Sequence, residues 1–436
     1  MAGKGAYPHQ GTLTLEDALR LSGPMAFNLM LKPAGSLCNL DCHYCYYLDK
    51  AEIYGGVEPR MSLEMLETVV RAYIAANDVP EVTFNWHGGE PLVLGIDFYR
   101  KALELEQRYA EGKVIRNTIQ TNGTLITREW ARLFREKDFL VGISLDGPAD
   151  IHNKYRRDKG GAPTFDRVLR GLNLLRDEGV AFNTMTTVNK ASEGRGLEVY
   201  QFLKSVGSQY MQFMPVVEHV KYPLGKNGKP SKGLRPYIVD PAEEGAQIAP
   251  WSITDLAFGN FLCDIFDHWV CNDVGRYFVN QFDAALANWC GVQPGICVHA
   301  KTCGGNSVIE HNGDVYPCDH FVYSKYRLGN IVSESLRDLM ESPRQARFGI
   351  DKRNTLPSKC FRCPWLFACN GECPKHRFNV TDRGETGLNA LCVGYTKFFS
   401  HVAPYMDFMK KLLEEQQAPS GVIPWARLRS ASANRG

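Results

Sequence analysis

Several features that would tie a protein to a membrane, the cell exterior or nucleic acid are missing from this sequence. No apolar run approaches the roughly 18 residues that a membrane span requires. The N-terminal stretch MAGKGAYPHQGTLTLEDALR has no apolar core, so it does not resemble a signal peptide. The formal net charge is only +2, which gives no broad field for nucleic acid or anionic lipid. We therefore expect a cytoplasmic protein with no membrane and no nucleic acid among its partners.

Cysteine is the residue type that stands out, because the chain of 436 residues contains 14 of them. Disulfides rarely persist in the reducing cytoplasm, so clustered thiols there indicate metal binding or redox chemistry. Most of the cysteines fall into tight groups, and only Cys263, Cys271 and Cys290 lie outside these groups. Cys263 and Cys271 belong to an aromatic helical segment and are most simply core residues.

The first half of the chain alternates between strand-like and helix-like segments. Six such units in a row predict an α/β fold with a parallel sheet that is closed, or partly closed, into a barrel. In barrels of this kind the reactive groups lie on loops at the C-terminal ends of the strands. The six strand-like runs are FNLMLKPA, VTFNWHGG, RNTIQTNG, FLVGISLDG, FNTMTTVN and YMQFMPVV.

The second half is less regular. Residues 218–250 are rich in Gly, Pro and Lys and predict an irregular connection, and the aromatic segment ITDLAFGNFLCDIFDHWVCND then predicts a helix. The following cysteine-rich part has few periodic patterns, which suits a small domain held by metals. The final stretch, APSGVIPWARLRSASANRG, predicts a disordered and mildly basic tail.

The first cysteine group has the spacing C-x3-C-x2-C and comprises Cys38, Cys42 and Cys45, directly after the first predicted strand. A structural zinc site would use four ligands, and an iron–sulfur cluster normally takes four thiolates. Three thiolates can instead hold a four-iron cluster and leave one iron open to a small molecule such as S-adenosylmethionine. The alternatives are a zinc site with one ligand elsewhere, or three buried thiols.

The segment CNLDCHYCYY resembles the cluster loop of the radical S-adenosylmethionine (SAM) superfamily, in which an aromatic residue, here Tyr44, commonly precedes the last cysteine. The second strand ends in HGGEP, which resembles the motif that contacts the amino end of the cofactor in that superfamily. Glycine allows a close backbone approach to a ligand. The resemblance therefore implies cofactor contacts by Gly88, Gly89 and Glu90.

Later strand ends carry further cofactor contacts implied by this resemblance. In that superfamily a serine, here Ser144, lies near the ribose of the cofactor, and an arginine, here Arg156, pairs with the cofactor carboxylate. A guanidinium group suits this role because it can bind a carboxylate through two hydrogen bonds. Arg157 is an adjacent alternative to Arg156, and Gln212 and Pro215 are expected to line the pocket. The other implied cofactor-binding residues are Tyr44 of the cluster loop and, at these strand ends, Gln120, Asn122, Ser144, Arg156 and Met214.

The C-terminal cysteines resemble the SPASM domain, a twin-cluster extension that follows some radical SAM barrels. By that resemblance one auxiliary cluster is held by Cys297, Cys303, Cys318 and Cys373, and the other by Cys360, Cys363, Cys369 and Cys392. Spacing does not establish which cysteine completes which cluster, zinc is the competing metal, and Cys290 is a nearby thiol that could change the count. In total the resemblance implies three [4Fe-4S] clusters and S-adenosyl-L-methionine as cofactors.

The expected architecture is a partial (β/α)6 radical SAM barrel followed by a small cysteine-rich SPASM domain that binds two auxiliary iron–sulfur clusters. Its predicted parts are an N-terminal extension, the barrel, a helical connection, the twin-cluster domain, and a C-terminal helix with a disordered tail. Their predicted bounds are 1–24, 25–235, 236–295, 296–395 and 396–436.

Within the SPASM group, the cysteine-containing stretches are similar to those of anaerobic sulfatase-maturating enzymes, which convert a sulfatase Cys or Ser to Cα-formylglycine. A deoxyadenosyl radical removes a hydrogen atom from Cβ, an auxiliary cluster can accept the remaining electron, and a base accepts a proton. The resemblance implies that Asp319 in YPCDHF is this base, with His320 as an alternative. It also implies that Tyr47 lies near the target side chain, although a packing role is equally consistent with the sequence.

The implied partners are a sulfatase polypeptide carrying the motif C/S-x-P/A-x-R and an electron donor such as a flavodoxin or ferredoxin. One alternative function is another SPASM-type peptide modification, for example thioether formation in a ribosomal peptide. Such enzymes often carry an extra N-terminal domain, for which little room precedes the first predicted strand. A zinc-bound scaffold without catalysis is the alternative from a different functional class.

Overall fold

The computed structural model describes residue 14 and residues 26–55, 59–223, 236–240 and 243–433. The chain divides into a larger unit, residues 22–253 with 304–345, and a smaller unit, residues 1–21 with 254–303 and 346–436. The predicted N-terminal extension, residues 1–24, lies outside the described residues except for Thr14. Among the helices of the described part, none is both long and apolar enough to cross a membrane.

Six parallel strands form the centre of the larger unit, and each pairs with the strand that precedes it in the chain. Their inward residues are almost fully buried, because the branched and aromatic side chains alternate along the pleat. The predicted α/β fold with six consecutive parallel strands is therefore confirmed. The strands are β1 (Asn28–Lys32), β2 (Glu81–Trp86), β3 (Val114–Thr121), β4 (Leu140–Ser144), β5 (Phe182–Val188) and β6 (Tyr210–Pro215).

Helices fill the connections between these strands and turn their apolar faces inward. The first of them begins at an N-cap, Ser62, whose side chain accepts a hydrogen bond from the Met65 N–H group. The six helices are α1 (Leu63–Ala76), α2 (Ile96–Tyr109), α3 (Arg128–Glu136), α4 (Ala149–Tyr155), α5 (Phe165–Asp177) and α6 (Gly196–Ser205).

The segment after β6 forms a small antiparallel sheet, so the prediction of an irregular connection over 218–250 was wrong for its described part. Its strands are β7 (His219–Lys221), β8 (Tyr237–Val239) and β9 (Gln247–Ile248), with β7 between the other two. Runs of two or three residues show no period, although Val220 is fully buried. Residues 224–235 of this segment lie outside the described residues.

Three short strands from the cysteine-rich part extend the main sheet of the larger unit beyond β1. These three strands are β11 (Asn306–Glu310), β12 (Asp314–Tyr316) and β13 (Gly329–Asn330). The strand that precedes them in the chain, β10 (Phe278–Val279), belongs to the smaller unit. Strand β11 runs parallel to β1 and places Glu310 opposite Lys32. This pairing was not predicted from the sequence, where residues 296–395 were expected to form the twin-cluster domain.

The smaller unit is mainly helical. Its two long helices approach closely at Gly259 and Gly394, where a Cβ atom on Gly259 would lie 2.5 Å from the Gly394 carbonyl oxygen. The Asp255 carboxylate caps the second of them by accepting from the Val393 N–H group at 3.0 Å. The helices after residue 254 are α7 (Asp255–Asn272), α8 (Asn280–Trp289), α9 (Leu336–Met340, larger unit), α10 (Pro343–Asn354), α11 (Ser358–Phe361), α12 (Leu366–Cys369), α13 (Cys392–Glu414) and α14 (Val422–Ala433), and the hairpin strands are β14 (Asn379–Val380) and β15 (Thr386–Leu388).

The predicted disordered tail is instead largely helical, as α14. Trp425 stacks on Phe408 of α13 with ring centroids 4.9 Å apart, and Val422 and Ala426 are fully buried. Packing of an aromatic side chain can stabilise a short helix that has no strong periodic pattern. The prediction of disorder was therefore wrong for residues 422–433.

Candidate active site and cluster-binding cysteines

The first cysteine group lies on the loop that follows β1, at the C-terminal end of the sheet. Burial raises the pKa of the Cys42 thiol to about 12, while the nearby Arg156 guanidinium opposes that rise. The Leu40 N–H group donates to the Cys38 sulfur at 3.4 Å. Such buried thiols become thiolates when a metal binds and compensates their charge.

The glycines of the HGGEP motif pack directly against this loop. A Cβ atom on Gly89 would lie 2.2 Å from the Leu37 carbonyl oxygen, so only glycine fits there. Gly88 has a φ of 133°, a conformation that other residues rarely adopt. The Glu90 N–H group donates to the Leu37 carbonyl at 2.9 Å. In this structure the motif therefore shapes the cysteine loop itself.

The Glu90 side chain connects the motif to the end of β3. Its carboxylate accepts from the Thr121 hydroxyl at 2.7 Å, the Asn122 N–H group at 2.7 Å and the Leu92 N–H group at 3.1 Å. Burial raises the pKa of Glu90 to about 7, and these donors oppose the rise. The Asn122 amide in turn donates to the Asn39 side-chain oxygen at 2.8 Å.

The other predicted cofactor residues lie at neighbouring strand ends. The Gln120 amide donates to the Ser144 hydroxyl at 3.1 Å. Gly142 makes room for this contact, since a Cβ atom there would lie 2.1 Å from the Gln120 side-chain oxygen. At the end of β6, the Gln212 amide donates to the Met214 sulfur at 3.3 Å. The structure thus brings Gln120 and Ser144 together, and it pairs Met214 with Gln212.

Arg156, which the resemblance assigns to the cofactor carboxylate, is bound to a carboxylate of the chain itself. Its guanidinium lies 3.0 Å from Asp146, which is completely buried. The Tyr44 hydroxyl donates to the same carboxylate, and Arg156 lies 5.4 Å from the centre of the Tyr44 ring. Tyr44 and Arg156 are therefore joined through Asp146, a residue to which the sequence analysis gave no role.

Asp319 lies in a second polar network of the larger unit, in the one-turn helix Asp319–Phe321 that follows Cys318. One carboxylate oxygen forms an ion pair with Lys32, whose side chain is fully buried. The other oxygen accepts from the Tyr46 hydroxyl. Lys32 also lies 3.1 Å from the His87 Nδ1 atom.

The neighbouring charged groups and burial determine the protonation states of Asp319 and His87. Burial by itself would raise the pKa of Asp319, but the Lys32 ammonium group, together with His87 and His320 when these rings are protonated, outweighs that effect and holds the pKa well below its usual range. Burial lowers the pKa of His87 to about 3, and Lys32 adds to this lowering. Asp319 is therefore an anion and His87 is neutral near pH 7.

Tyr47, the other residue predicted to be catalytic, is almost completely buried. Its hydroxyl donates to Glu310 of β11, and its ring lies 4.1 Å from the Lys32 ammonium group. Burial, together with Glu310, raises the pKa of Tyr47 well above its usual value. Tyr47 and Asp319 thus share one neighbour, Lys32.

Sequence reasoning missed four members of this network: Lys32, Tyr46, His87 and Glu310. Lys32 and His87 each lie where a strand ends, which is the position expected for reactive groups in a barrel. A lysine in the otherwise apolar run FNLMLKPA was therefore an available signal. Glu310 had no comparable signal, because the pairing of β11 with β1 is not local in sequence.

The four cysteines predicted for one auxiliary cluster, all in the smaller unit, lie near one another. Burial raises the pKa of Cys360 to about 11, and negative charge on Cys392 and Cys363 would add to the rise. Burial also raises the pKa of Cys369 to about 12, and Cys392 and Cys360 act in the same direction. Four thiols grouped in this way can bind four different irons of one cluster.

Three cysteines of the other predicted set, Cys297, Cys303 and Cys373, also belong to the smaller unit, whereas Cys318 belongs to the larger unit. Burial raises the pKa of Cys303, and Cys297 would add to the rise. Among the described residues, no group of three or more His, Cys, Asp or Glu side chains converges as for a single metal ion. A four-iron cluster calls for a wider arrangement, because each thiolate binds a different iron.

Comparisons with known proteins identify the family to which the chain belongs. Two family models match, the radical SAM superfamily over residues 33–203 and the SPASM iron–sulfur cluster-binding domain over residues 301–364. The chain is 50% identical over 397 residues to a serine-type anaerobic sulfatase-maturating enzyme of Bacteroides thetaiotaomicron, covering 91% of this chain and 94% of the relative. It is 31% identical over 401 residues to a cysteine-type anaerobic sulfatase-maturating enzyme of Clostridium novyi, covering 90% of this chain and 99% of the relative.

A solved structure supports the same assignment. Native anSMEcpe with bound AdoMet and Kp18Cys peptide matches with a TM-score of 0.76 and 30% sequence identity, covering 89% of this chain and 99% of that chain. The likeness therefore extends over both the barrel and the cysteine-rich part. This chain belongs to the anaerobic sulfatase-maturating enzymes of the radical SAM superfamily, and its cysteine-rich part is an iron–sulfur cluster-binding SPASM domain.

Proposed function

We propose that this chain oxidises the Cβ atom of a serine or cysteine in a sulfatase polypeptide to give Cα-formylglycine, with Asp319 as the base. The observation that carries the assignment of the base is the pairing of Asp319 with a fully buried lysine, directly after a predicted cluster ligand. Serine is the first target to test, because the 50% identical relative is named a serine-type enzyme.

When bound, the three-cysteine cluster and S-adenosylmethionine supply a deoxyadenosyl radical that takes one hydrogen atom from Cβ. The substrate radical that remains must lose one electron and one proton to become an aldehyde, or a thioaldehyde in the case of cysteine. Asp319 is ionised near pH 7 and can therefore accept the proton, and its ion pair with Lys32 holds the carboxylate in place. Each carboxylate oxygen keeps a lone pair beyond those used by Lys32 and Tyr46.

We assign the cofactor to the strand ends that carry Gly88, Gly89, Gln120 and Ser144. The glycines pack the three-cysteine loop against these strand ends, and the paired Gln120 and Ser144 side chains offer a donor and an acceptor beside it. In this proposal Arg156 acts together with Asp146, so that the cofactor meets a neutralised ion pair rather than a free cation.

The proposed partners are a sulfatase polypeptide that carries C/S-x-P/A-x-R and an electron donor of the flavodoxin or ferredoxin class. The solved anSMEcpe complexes contain the Kp18Cys and Cp18Cys peptides, which supports a short peptide as a sufficient substrate for an assay.

The test is an anaerobic assay of reconstituted protein with S-adenosylmethionine, a reductant and two matched peptides, Ser-x-Pro-x-Arg and Cys-x-Pro-x-Arg. We expect 5′-deoxyadenosine together with a peptide that carries formylglycine, both detected by mass spectrometry. A serine-directed enzyme converts the first peptide. Deoxyadenosine without oxidation of either peptide would contradict the proposed substrate while leaving the radical chemistry in place.

A further inference from the structure

Two cations of the smaller unit lie beside predicted cluster ligands and have only neutral hydrogen-bond partners. Lys352, in the last turn of α10, is 1% exposed. Its ammonium group donates to the carbonyl oxygens of Cys297 at 2.5 Å and Val298 at 2.9 Å. The helix is held close to the cysteine segment one turn earlier, where the Cys303 N–H group donates to the Gly349 carbonyl at 3.0 Å.

Arg377 is the second cation, and it binds the chain between Cys369 and Cys373. Its guanidinium donates to the carbonyl oxygens of Gly371 at 2.8 Å, Asn370 at 3.1 Å, Glu372 at 3.0 Å and Lys352 at 2.5 Å. Residues 370, 371 and 372 all have left-handed backbones, with φ values of 49°, 70° and 51°. Arg377 therefore holds a left-handed segment that lies between two predicted cluster ligands.

Neither cation forms an ion pair with a carboxylate within the described part of the chain, where all their hydrogen bonds go to carbonyl oxygens. Glu372, whose backbone binds Arg377, has its carboxylate engaged by His376 at 3.0 Å and Asn389 at 2.6 Å. A buried charge without a counter-charge is costly, so Lys352 in particular requires an anion nearby.

We propose that Lys352 and Arg377 are counter-charges of the auxiliary iron–sulfur cluster bound by Cys297, Cys303 and Cys373, and that they raise its reduction potential. The inference rests on the proposed assignment of these cysteines as cluster ligands. Thiolate ligands make a four-iron cluster anionic, and one-electron reduction adds a further negative charge. A buried cation therefore favours the reduced form more than the oxidised form.

The direction of this effect suits the proposed reaction. The substrate radical must give up one electron, and a cluster with a raised potential is a better one-electron acceptor. Lys352 is the cleaner residue to test, because Arg377 also holds the left-handed segment in place and its loss would disturb the backbone.

The test compares reduction potentials of the iron-loaded holoenzyme in the absence of peptide, by redox titration followed by electron paramagnetic resonance. Lys352→Met removes the charge and keeps most of the length of the side chain. We expect one auxiliary signal to become harder to reduce, with at least a tenfold change in its equilibrium constant, or about 59 mV for one electron. Lys352→Arg should keep the wild-type potential.

Lys359→Met is the matched control, because Lys359 adjoins Cys360 of the other set but its side chain is 48% exposed. Solvent screens an exposed charge, so we expect a smaller shift from this variant. If Lys352→Met fails to load iron, Lys352→Gln can still donate to the two carbonyls and takes its place.

Unchanged potentials in fully loaded Lys352→Met or Lys352→Gln protein would overturn the inference. Failure of the underlying ligand assignment has a different signature, since wild-type protein would then lack the iron and the resonance signals of the auxiliary clusters.

Discussion

At the scale of single residues, the ion pair between Lys32 and Asp319 determines how the proposed base is held. Lys32→Met should leave radical formation intact but impair proton removal, because the carboxylate loses the partner that orients it. We expect the amount of oxidised peptide per 5′-deoxyadenosine to fall about tenfold or more, which is less than the roughly 10²–10⁴-fold effect of losing an acid–base group itself. Liquid chromatography with mass spectrometry measures both products in one sample.

A matched control for this variant is Lys50→Met. Lys50 is also a buried lysine of the larger unit, but its ammonium group lies over the Tyr323 ring, 3.1 Å from the centroid. Lys32→Arg should restore most of the oxidised peptide that forms per 5′-deoxyadenosine. If Lys50→Met lowers the oxidised peptide per 5′-deoxyadenosine as much as Lys32→Met does, the loss of any buried lysine in this unit has the same effect. The positioning role of Lys32 would then be rejected.

Glu106 of α2 provides a pH-dependent prediction away from the site. Its carboxylate is 3% exposed and accepts from the Asn117 amide at 2.7 Å. Burial raises the pKa of Glu106 to about 8 from its ordinary value of 4.5. Between these two values the folded state binds more protons than the unfolded state, so the free energy of unfolding decreases as pH rises.

Glu106→Gln removes this titration and should make the protein more stable than wild type at pH 8. The difference should grow between pH 6 and pH 8 by up to about 1.4 kcal/mol per pH unit. Thermal unfolding at several pH values measures it. Glu104→Gln on the same helix, where the side chain is 53% exposed, should show no such pH-dependent gain; a flat difference for Glu106→Gln would refute the prediction.

Single residues also show what sequence reasoning can reach. The placement of Cys38, Cys42 and Cys45 after the first strand follows from spacing and from the rule for strand ends, and the structure has that placement. The pairing of Asp319 with Lys32 could not be predicted, since it joins positions 287 apart through a strand that the sequence analysis did not foresee.

At the scale of elements, the smaller unit depends on the close approach of α7 and α13. Gly259→Ala would place a methyl group 2.5 Å from the Gly394 carbonyl oxygen, so the helices must separate. We expect the free energy of unfolding of this unit to fall by about 1–3 kcal/mol, as is usual for overpacking. Differential scanning fluorimetry of iron-loaded protein would detect the change.

Gly295→Ala is the control for this variant, because it adds the same methyl group at a glycine of the same unit that has nothing within 4 Å of the added atom. Its melting temperature should stay close to the wild-type value. If the two variants melt together, the close helix contact does not limit stability.

Elements with a long periodic pattern were predictable from the sequence, whereas short ones were not. The six parallel strands and α7 gave clear patterns because each buries a continuous apolar face. Strands β7–β9 span only two or three residues each, and α14 is held by the contact of Trp425 with Phe408 rather than by a pattern of its own.

At the scale of the whole molecule, the account requires three clusters with separate ligand sets. Replacing Cys38, Cys42 and Cys45 together by alanine should remove about four of about twelve irons. It should also abolish 5′-deoxyadenosine, because only that cluster has an open iron. Iron analysis and product analysis of the same preparation check both outcomes. Loss of nearly all iron would argue against independent sites.

The central claim is that Asp319 removes the proton after hydrogen-atom abstraction, and the most direct measurement compares Asp319→Asn with His320→Gln in the peptide assay. The account predicts that Asp319→Asn still forms 5′-deoxyadenosine but makes about 10²–10⁴-fold less oxidised peptide, while His320→Gln stays near the wild-type ratio. Oxidation of the peptide by Asp319→Asn at the wild-type ratio, or the reverse order of the two variants, would contradict it.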